Sequence, residues 1–249
     1  MRMGGTGARL EGLQVRVEAV FFDAAGTLLY ADPPVGEVYA HALRDAGVKA
    51  KGAEVQAQFQ QAWNRLRREQ PYGRLPYGST EAEAMEWWRR VVQESFAPFG
   101  LPATFEEVFL HLWAHFSSAA GWRLYGDVLP TLDELARRGK GIGLISNWDA
   151  RLFGLLAQMG LQRHLRWTVV SSEVGVEKPY AAIFARALRE CGVPAAKAVH
   201  VGDSYREDVV GALRAGMQAV WLRRDDAGAA APERVAVIRS LVELSGLIE

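Results

Sequence analysis

The segment VRVEAVFFDAAGTL, residues 15–28, joins an apolar run to a carboxylate and a glycine-containing turn. Short apolar runs that end at polar residues are typical of buried strands in a parallel sheet. Gly26 allows a tight turn after Asp23, and amides exposed in such a turn can hold anionic oxygens. A helix N-cap role is the alternative for Asp23, but a carboxylate that ends an apolar run is costly without a nearby cation. The segment therefore predicts a first buried strand with a reactive carboxylate at its end.

The same pattern recurs along the rest of the chain. Further apolar runs that indicate strands are Gly141–Ile145, Trp167–Val170, Ala198–Val201 and Gln218–Leu222. Helical patterns separate them, each followed by a glycine where a helix C-cap favours a left-handed residue. These helices are predicted at Asp127–Arg138, Ala150–Met159, Tyr180–Cys191 and Arg206–Ala215. Strands that alternate with helices predict an α/β fold with a Rossmann-like, doubly wound parallel sheet.

The segment 33–120 differs from the rest, because it shows helical periodicity and no convincing strand. Two of its helices should begin at capping boxes, Thr80-x-x-Glu83 and Thr104-x-x-Glu107. The predicted helices are Val35–Ala46, Ala53–Glu69, about 81–97 and about 105–119. We therefore predict an all-helical cap domain at 33–120, inserted into a core formed by 15–32 and 121–249. The Gly-rich residues 1–14 are expected to form a flexible N-terminus.

Composition excludes several function classes. Apolar residues make up 49% and charged residues 23%, as in ordinary soluble proteins. Lys+Arg and Asp+Glu both number 29, so the charge favours neither nucleic acid nor an anionic membrane as partner. The single cysteine, Cys191, cannot form an internal disulfide, and no apolar run reaches the roughly 18 residues of a membrane span. We expect a cytoplasmic protein that is a monomer or a homodimer.

Polar residues that suit catalysis come at the ends of the predicted strands. Asp23, Ser146 and Asp203 end three of them, and Lys178 follows on a loop. Ligands bind beyond the carboxyl ends of strands in open parallel sheets, so these side chains should face one crevice. Asp208 lies one turn beyond Asp203 and can face the same cation. Mg²⁺ prefers such oxygen ligands, usually one or two carboxylates with water and phosphate oxygens.

Each of these features has a structural explanation when it is taken alone. Ser146 is compatible with ordinary turn chemistry, and Lys178-Pro179 with a surface loop. Gly-Asp-Ser-x-x-x-Asp at 202–208 is compatible with a strand-end turn and a helix-start aspartate favoured by the helix dipole. Their order along the chain and their positions at strand ends favour a catalytic site instead.

Four motifs in order carry a resemblance to a known family. They are Asp-x-x-Gly-Thr-Leu at 23–28, Ser-Asn at 146–147, Lys-Pro at 178–179 and Gly-Asp-Ser-x-x-x-Asp at 202–208. With them the chain resembles the haloacid dehalogenase (HAD) superfamily of hydrolases, in the subgroup with a helical cap inserted after the first motif. The resemblance runs from about Val15 over nearly the whole chain, and it extends to a branch described only as HAD-like hydrolases.

The resemblance implies a role for each matching residue. Asp23 would attack the phosphorus of a small phosphorylated substrate and form an aspartyl-phosphate. Ser146 would donate to the phosphoryl group, and Lys178 would neutralise its charge. The cofactor would be Mg²⁺, held by Asp23, the Ala25 backbone carbonyl, Asp203 and Asp208. We also assign substrate binding to Gly26, Thr27, Asn147 and Trp148.

Ala25 departs from the pattern of phosphatases in this family, which carry a second aspartate at that position. That aspartate protonates the leaving oxygen and then activates water, and alanine can do neither. General acid–base catalysis contributes roughly 10²–10⁴-fold. We therefore expect weak phosphatase activity on alkyl monoesters. The activity on acyl and aryl phosphates, which have better leaving groups, should be reduced least.

Three other functions remain open at this stage. Phosphonoacetaldehyde hydrolases also have alanine at the position of Ala25, but they need a cap lysine. Lys49 and Lys51 lie in a Gly-rich turn without that family's lysine motif. Metal-free 2-haloacid dehalogenases share the Ser-Asn pair, yet Asp203 and Asp208 would crowd their nucleophile with carboxylates. The third alternative is a non-catalytic protein that binds phosphate or a partner on the same fold.

Overall fold

The computed structural model describes residues 16–69, 75–225 and 235–248. The predicted flexible N-terminus, 1–14, lies outside these residues. The strands within them are β1 (Ala19–Phe22), β2 (Leu29–Ala31), β3 (Trp122–Leu124), β4 (Gly141–Ser146), β5 (Trp167–Val170), β6 (Ala198–Gly202), β7 (Gln218–Leu222) and β8 (Ala236–Ile238). Six of them form a parallel sheet in the order β5-β4-β1-β6-β7-β8, and β2 and β3 pair antiparallel.

Strand β1 lies at the centre of the sheet because it is apolar on both faces. Phe22 aligns with Leu144 on one side and with Val201 on the other. Alternate β1 residues belong to two different apolar clusters, with Phe22 in one and Phe21 in the other. The prediction of a doubly wound α/β core is confirmed. The pattern missed β2, β3 and β8, which are only three residues long.

Helices occupy the positions that the periodicity predicts, with small shifts at their ends. Each of the four C-cap glycines predicted in the core (Gly139, Gly160, Gly192 and Gly216) has a φ between 68° and 79°. The predicted helix 206–215 begins instead as a π-helical turn, Tyr205–Val210. The helices are α1 (Val35–Asp45), α2 (Gly52–Glu69), α3 (Glu81–Phe96), α4 (Phe105–Phe116), α5 (Val128–Arg137), α6 (Arg151–Gln158), α7 (Ser171–Val174), α8 (Ala181–Cys191), α9 (Gly211–Arg214) and α10 (Leu244–Leu247).

Helices α1–α4, here called the helical insert, lie between β2 and β3. Aromatic and aliphatic side chains pack them together, with Tyr39 and Phe96 in one cluster and Trp87 in another. The Thr80 capping box is present. The Thr104 capping box is wrong: the φ of −94° and ψ of 29° are not the extended conformation of a capping residue, and its side chain makes no cap bond. The division into a core and a cap domain stays a prediction.

Among the described helices, none is long and apolar enough to cross a membrane. The cytoplasmic location, the oligomeric state and the absence of nucleic-acid and membrane partners stay predictions.

Candidate active site

The candidate site lies where β1, β4 and β6 end. Asp23 follows β1, Ser146 closes β4, and Asp203 follows β6. The Oδ1 atom of Asp23 accepts hydrogen bonds from the Ser146 hydroxyl at 3.1 Å and from Lys178 Nζ at 2.6 Å. The structure therefore brings Asp23, Ser146 and Lys178 together, as predicted. Both hydrogen bonds are made to Oδ1, and Oδ2 of Asp23 takes part in neither.

Lys178 is a fully buried cation between two carboxylates. Only 1% of its side chain is exposed, and its Nζ lies 2.6 Å from Oδ1 of both Asp23 and Asp208. Burial acts to lower the pKa of Lys178, but the adjacent carboxylates outweigh it and hold that pKa above its ordinary value. The lysine therefore remains charged, and it offsets charge at the Asp23 carboxylate.

Asn147 fixes the backbone on which this lysine sits. Its Oδ1 accepts from the Lys178 amide at 2.6 Å, and its Nδ2 donates to the Lys178 carbonyl at 3.1 Å. The same Nδ2 donates to Glu207 at 3.0 Å. The amide predicted to bind substrate thus makes contacts that position the lysine. Asn147 also lines a cavity together with Ala25.

Asp208 is held by the protein on both carboxylate oxygens. Oδ1 lies 2.9 Å from His200 Nε2 and 2.6 Å from Lys178, and Oδ2 accepts from the Ser204 amide at 2.9 Å. Burial acts to raise the pKa of Asp208, but Lys178 and His200 hold it well below its usual range. Gly202 makes room, because a Cβ there would lie 2.2 Å from Asp208 Cγ. Metal ligation by Asp208 stays a prediction, and its observed contacts anchor the lysine.

His200 is a site residue that sequence reasoning missed. It lies within β6 with no exposed surface, and burial lowers its pKa. Its ring contacts Asp208, so it belongs to the buried polar network behind Lys178. The only signal was one polar residue inside an otherwise apolar strand, AVHVG.

The carboxylates form a cluster that suits a divalent cation. Asp23, Asp203 and Asp208 each offer an oxygen within 4.8 Å of the others. Burial, together with the other two carboxylates, raises the pKa of Asp203 to about 7. Three carboxylates here share one lysine, so an added cation would stabilise their ionised forms. The residues fit a metal ion.

Gly26 leaves the space in which Asp203 lies. Its φ is +81°, and a Cβ on it would meet Asp203 Oδ2 at 2.4 Å. The Gly26 amide donates to the Leu29 carbonyl at 2.8 Å, so its contribution is steric. Thr27 Oγ1 lies 3.4 Å from Asp203 Oδ1, and Arg224 donates to the Thr27 carbonyl at 2.7 Å. The turn after Asp23 is thus shaped around the acidic cluster.

Gly26→Ala is expected to weaken Mg²⁺ binding, because the new methyl would displace the Asp203 carboxylate. Gly47→Ala is the matched control: its φ is +83°, and a Cβ there meets nothing within 4 Å. Both variants carry the left-handed backbone cost of about 1–2 kcal/mol. Calorimetric titration with Mg²⁺ should show loss of affinity in the first variant alone. Equal affinity in both would contradict a cation site at Asp203.

A largely apolar cavity of about 470 Å³ opens beside the acidic cluster. Ala25, Asn147 and Trp148 line the cavity, and the helical insert supplies most of the remaining wall. The Trp148 ring lies 5.0 Å from that of Trp122. The cavity therefore joins the residues after Asp23 and Ser146 to the interior of the insert.

Arg67 links the insert to the end of the sheet at which the candidate site lies. Its guanidinium pairs with Glu177 at 2.8 Å and with Glu207 at 3.1 Å, and 24% of its side chain is exposed. Glu207 also accepts from Asn147, so these contacts run from α2 to the backbone of Lys178.

Comparison with known proteins agrees with this arrangement. Residues 17–216 match the family model described as haloacid dehalogenase-like hydrolase. The chain is 33% identical over 217 residues to haloacid dehalogenase-like hydrolase domain-containing protein 3 of Danio rerio, covering 86% of this chain and 88% of that protein.

Two solved structures share the architecture at somewhat lower identity. An HAD phosphatase from Thermococcus onnurineus is 27% identical with a TM-score of 0.63, covering 92% of this chain and 97% of that one. A 2-haloacid dehalogenase from Pseudomonas syringae pv. Tomato DC3000 is 28% identical with a TM-score of 0.63, covering 93% and 97%. From its motifs, its sheet and these relatives, the chain belongs to the haloacid dehalogenase-like hydrolases.

Proposed function

We propose that this hydrolase cleaves a small phosphorylated metabolite through an aspartyl-phosphate on Asp23, with Mg²⁺ as cofactor. The observation that carries the proposal is the Asp23 carboxylate, which Ser146 and Lys178 hold beside a carboxylate cluster that fits a cation. The similarity to an HAD phosphatase supports it.

In the first step, a carboxylate oxygen of Asp23 attacks phosphorus and the bond from phosphorus to the leaving oxygen breaks. Lys178 and the Ser146 hydroxyl face the developing charge. In the second step, water attacks phosphorus, the bond to the Asp23 oxygen breaks, and phosphate leaves with the Asp23 carboxylate restored. The proton of the attacking water passes to solvent.

The proposed metal ligands are Asp23, the Ala25 carbonyl, Asp203 and Asp208. When bound, Mg²⁺ would neutralise charge on the transferring phosphoryl oxygens. Asp203 fits this role best, because its carboxylate lies against Gly26 with its pKa raised to about 7 by burial and by its acidic neighbours.

Ala25 leaves the leaving oxygen without an acid on the nucleophile loop. Asp149 lines the same cavity, but Arg151 binds both of its oxygens, at 2.8 and 2.7 Å. Both oxygens of Asp149 are therefore engaged by one guanidinium and are not directed at the leaving group. The leaving group therefore departs as an anion or takes its proton from water, which favours stable anions.

The direct test is phosphate release from a panel of phosphate esters with Mg²⁺. We expect turnover above background that is lost on addition of EDTA and in Asp23→Asn. Binding of phosphate without turnover of any ester would favour the non-catalytic alternative and would overturn the proposal.

A metal-free 2-haloacid dehalogenase is the second candidate, favoured by the 28% identity to such an enzyme and by Ala25. Asp203 argues against it, since a third carboxylate beside Asp23 and Asp208 is unfavourable without a second cation in addition to Lys178. Chloride release from 2-chloropropionate in the presence of EDTA would establish the dehalogenase and exclude the phosphatase proposal.

Ala25→Asp is expected to raise kcat/KM for an alkyl phosphate by about 10²-fold, the lower end of what general acid–base catalysis contributes. The new carboxyl would lie in the cavity wall, where it can face the leaving oxygen. Ala25→Asn, similar in size but without an acidic proton, is the control and should give no gain. If Ala25→Asp gives none either, another group already supplies the proton.

A further inference from the structure

We propose that the physiological substrates are aryl phosphomonoesters, whose leaving group is an uncharged aromatic body held in the cavity beside Ala25. This inference rests on the proposed function, because it assigns the substrate of the same site.

The cavity lies where the leaving group must go. Its lining includes Ala25 and Asn147, which follow Asp23 and Ser146 in the chain. In phosphoryl transfer the leaving oxygen lies roughly in line with the nucleophile and on its far side. The volume of about 470 Å³ lies within the 300–1,000 Å³ typical of small-molecule pockets. The cavity therefore has room for a ring system beyond the phosphoryl group.

The walls of the cavity favour flat apolar groups. Rings reach it from each helix of the insert, from β3 and from the loop after β4. They include Tyr39, Phe59, Trp63, Trp88, Trp113 and Trp122. Aromatic rings pack on such walls edge to face or offset, with a gain beyond simple burial.

The charged groups in the wall are engaged with each other. Among the lining residues that the structure describes, the charged side chains are Asp149 and Arg151, which form a bidentate pair. The Arg151 guanidinium also stacks on Trp113 at 3.6 Å. The indole nitrogen of Trp88 donates to Asp149, and that of Trp122 to the Phe116 carbonyl. A charged leaving group would lose water here and meet charged side chains that are already paired.

The reaction chemistry at Ala25 points to the same class independently. No acid on the nucleophile loop can protonate the leaving oxygen, and an alkoxide is a poor leaving group without a proton. A phenolate is a more stable anion, because its charge spreads into the ring. The wall and the missing acid thus both favour an aryl ester.

The test compares 2-naphthyl phosphate, phenyl phosphate and glycerol 1-phosphate with the Mg²⁺-loaded protein. We expect kcat/KM to fall in that order. Calorimetric titration with 2-naphthol, which has no phosphate, measures the cavity separately and should show saturable binding. The two esters of phenols have leaving groups of similar stability, so a preference between them reports on the cavity.

Trp63→Ala removes one wall and is expected to raise KM for 2-naphthyl phosphate by about tenfold, with kcat nearly unchanged. Trp63→Phe keeps a ring and should restore most of the affinity. If both variants fail to fold, the order of kcat/KM for the three esters and the binding of 2-naphthol to the wild type still test the aryl assignment.

The outcomes separate the two proposals. Efficient turnover of glycerol 1-phosphate without binding of 2-naphthol would overturn the aryl assignment and leave the phosphatase intact. Binding of 2-naphthol without hydrolysis of any ester would overturn the phosphatase and, with it, the assignment of aryl phosphomonoesters. An unchanged KM in Trp63→Ala would also overturn the aryl assignment.

Discussion

Replacing Asp23 by asparagine should lower phosphate release by a factor on the order of 10⁴ or more, the scale seen when a covalent nucleophile is removed. Asparagine has nearly the same shape and can still accept from Ser146, but its amide does not attack phosphorus. Burial raises the pKa of the Asp23 carboxyl more than Lys178 lowers it, so removing this charge should not make the variant less stable in the absence of metal.

The measurement is kcat for 2-naphthyl phosphate with Mg²⁺, together with a melting curve of each protein. Asp133→Asn is the matched control, because its carboxylate is 65% exposed and far from the catalytic network in sequence and contacts. It should keep wild-type activity. Turnover by Asp23→Asn within tenfold of the wild type would remove Asp23 from the mechanism.

Lys178→Ala should lower the free energy of unfolding by about 3–5 kcal/mol, the cost of leaving buried charges unpaired. The lysine is 1% exposed and contacts Asp23 and Asp208 at 2.6 Å each. Removing it leaves two ionised groups in a protein interior without their cation. Activity should be lost as well, since among the described residues Lys178 is the cation in contact with Asp23.

Urea denaturation in EDTA measures this effect without interference from a metal. Lys197→Ala is the matched control: Lys197 pairs with Glu18 at 2.7 Å, but the two side chains are 42% and 45% exposed. An exposed pair contributes about 0–1 kcal/mol, so the control should change little. A similar small change in both variants would show that the buried pair contributes nothing net.

The buried pair of Lys178 and Asp208 also determines the direction in which the free energy of unfolding changes with pH. The depressed pKa of Asp208 contributes stability that is present above the ordinary aspartate pKa and is lost as the pH falls. The raised pKa of Lys178 contributes stability that is present below the ordinary lysine pKa and is lost as the pH rises. Lys178→Ala should therefore flatten the pH profile of the unfolding free energy at both ends.

Local sequence patterns predicted the sheet and the main side chains at its end. Apolar runs that stop at Asp23, Ser146 and Asp203 identify three strand ends, and parallel strands place such ends at one edge. The strands β2 and β3 were not predicted, because three residues show too little alternation of apolar and polar side chains. Thr104 had the right capping sequence, but its backbone conformation does not direct the hydroxyl to the helix.

Contacts between distant segments could not be predicted in this way. Arg67 meets Glu207 across 140 positions of sequence, and nothing in the periodicity of α2 indicates which of its arginines faces the core. His200 contacts Asp208 because a π-helical turn follows β6, a local geometry that periodicity does not reveal. The cavity likewise depends on how the insert packs over Ala25, so only the presence of aromatic residues was visible beforehand.

The central claim is that Asp23 becomes phosphorylated, and mass spectrometry of the acid-quenched enzyme during turnover of 2-naphthyl phosphate tests it directly. Because Ala25 cannot activate the water that attacks in the second step, the covalent intermediate should accumulate. We expect a phosphoryl group on the peptide that contains Asp23, accompanied by a burst of 2-naphthol. Continuous phosphate release with no adduct on that peptide, or an adduct on another residue, would contradict the account.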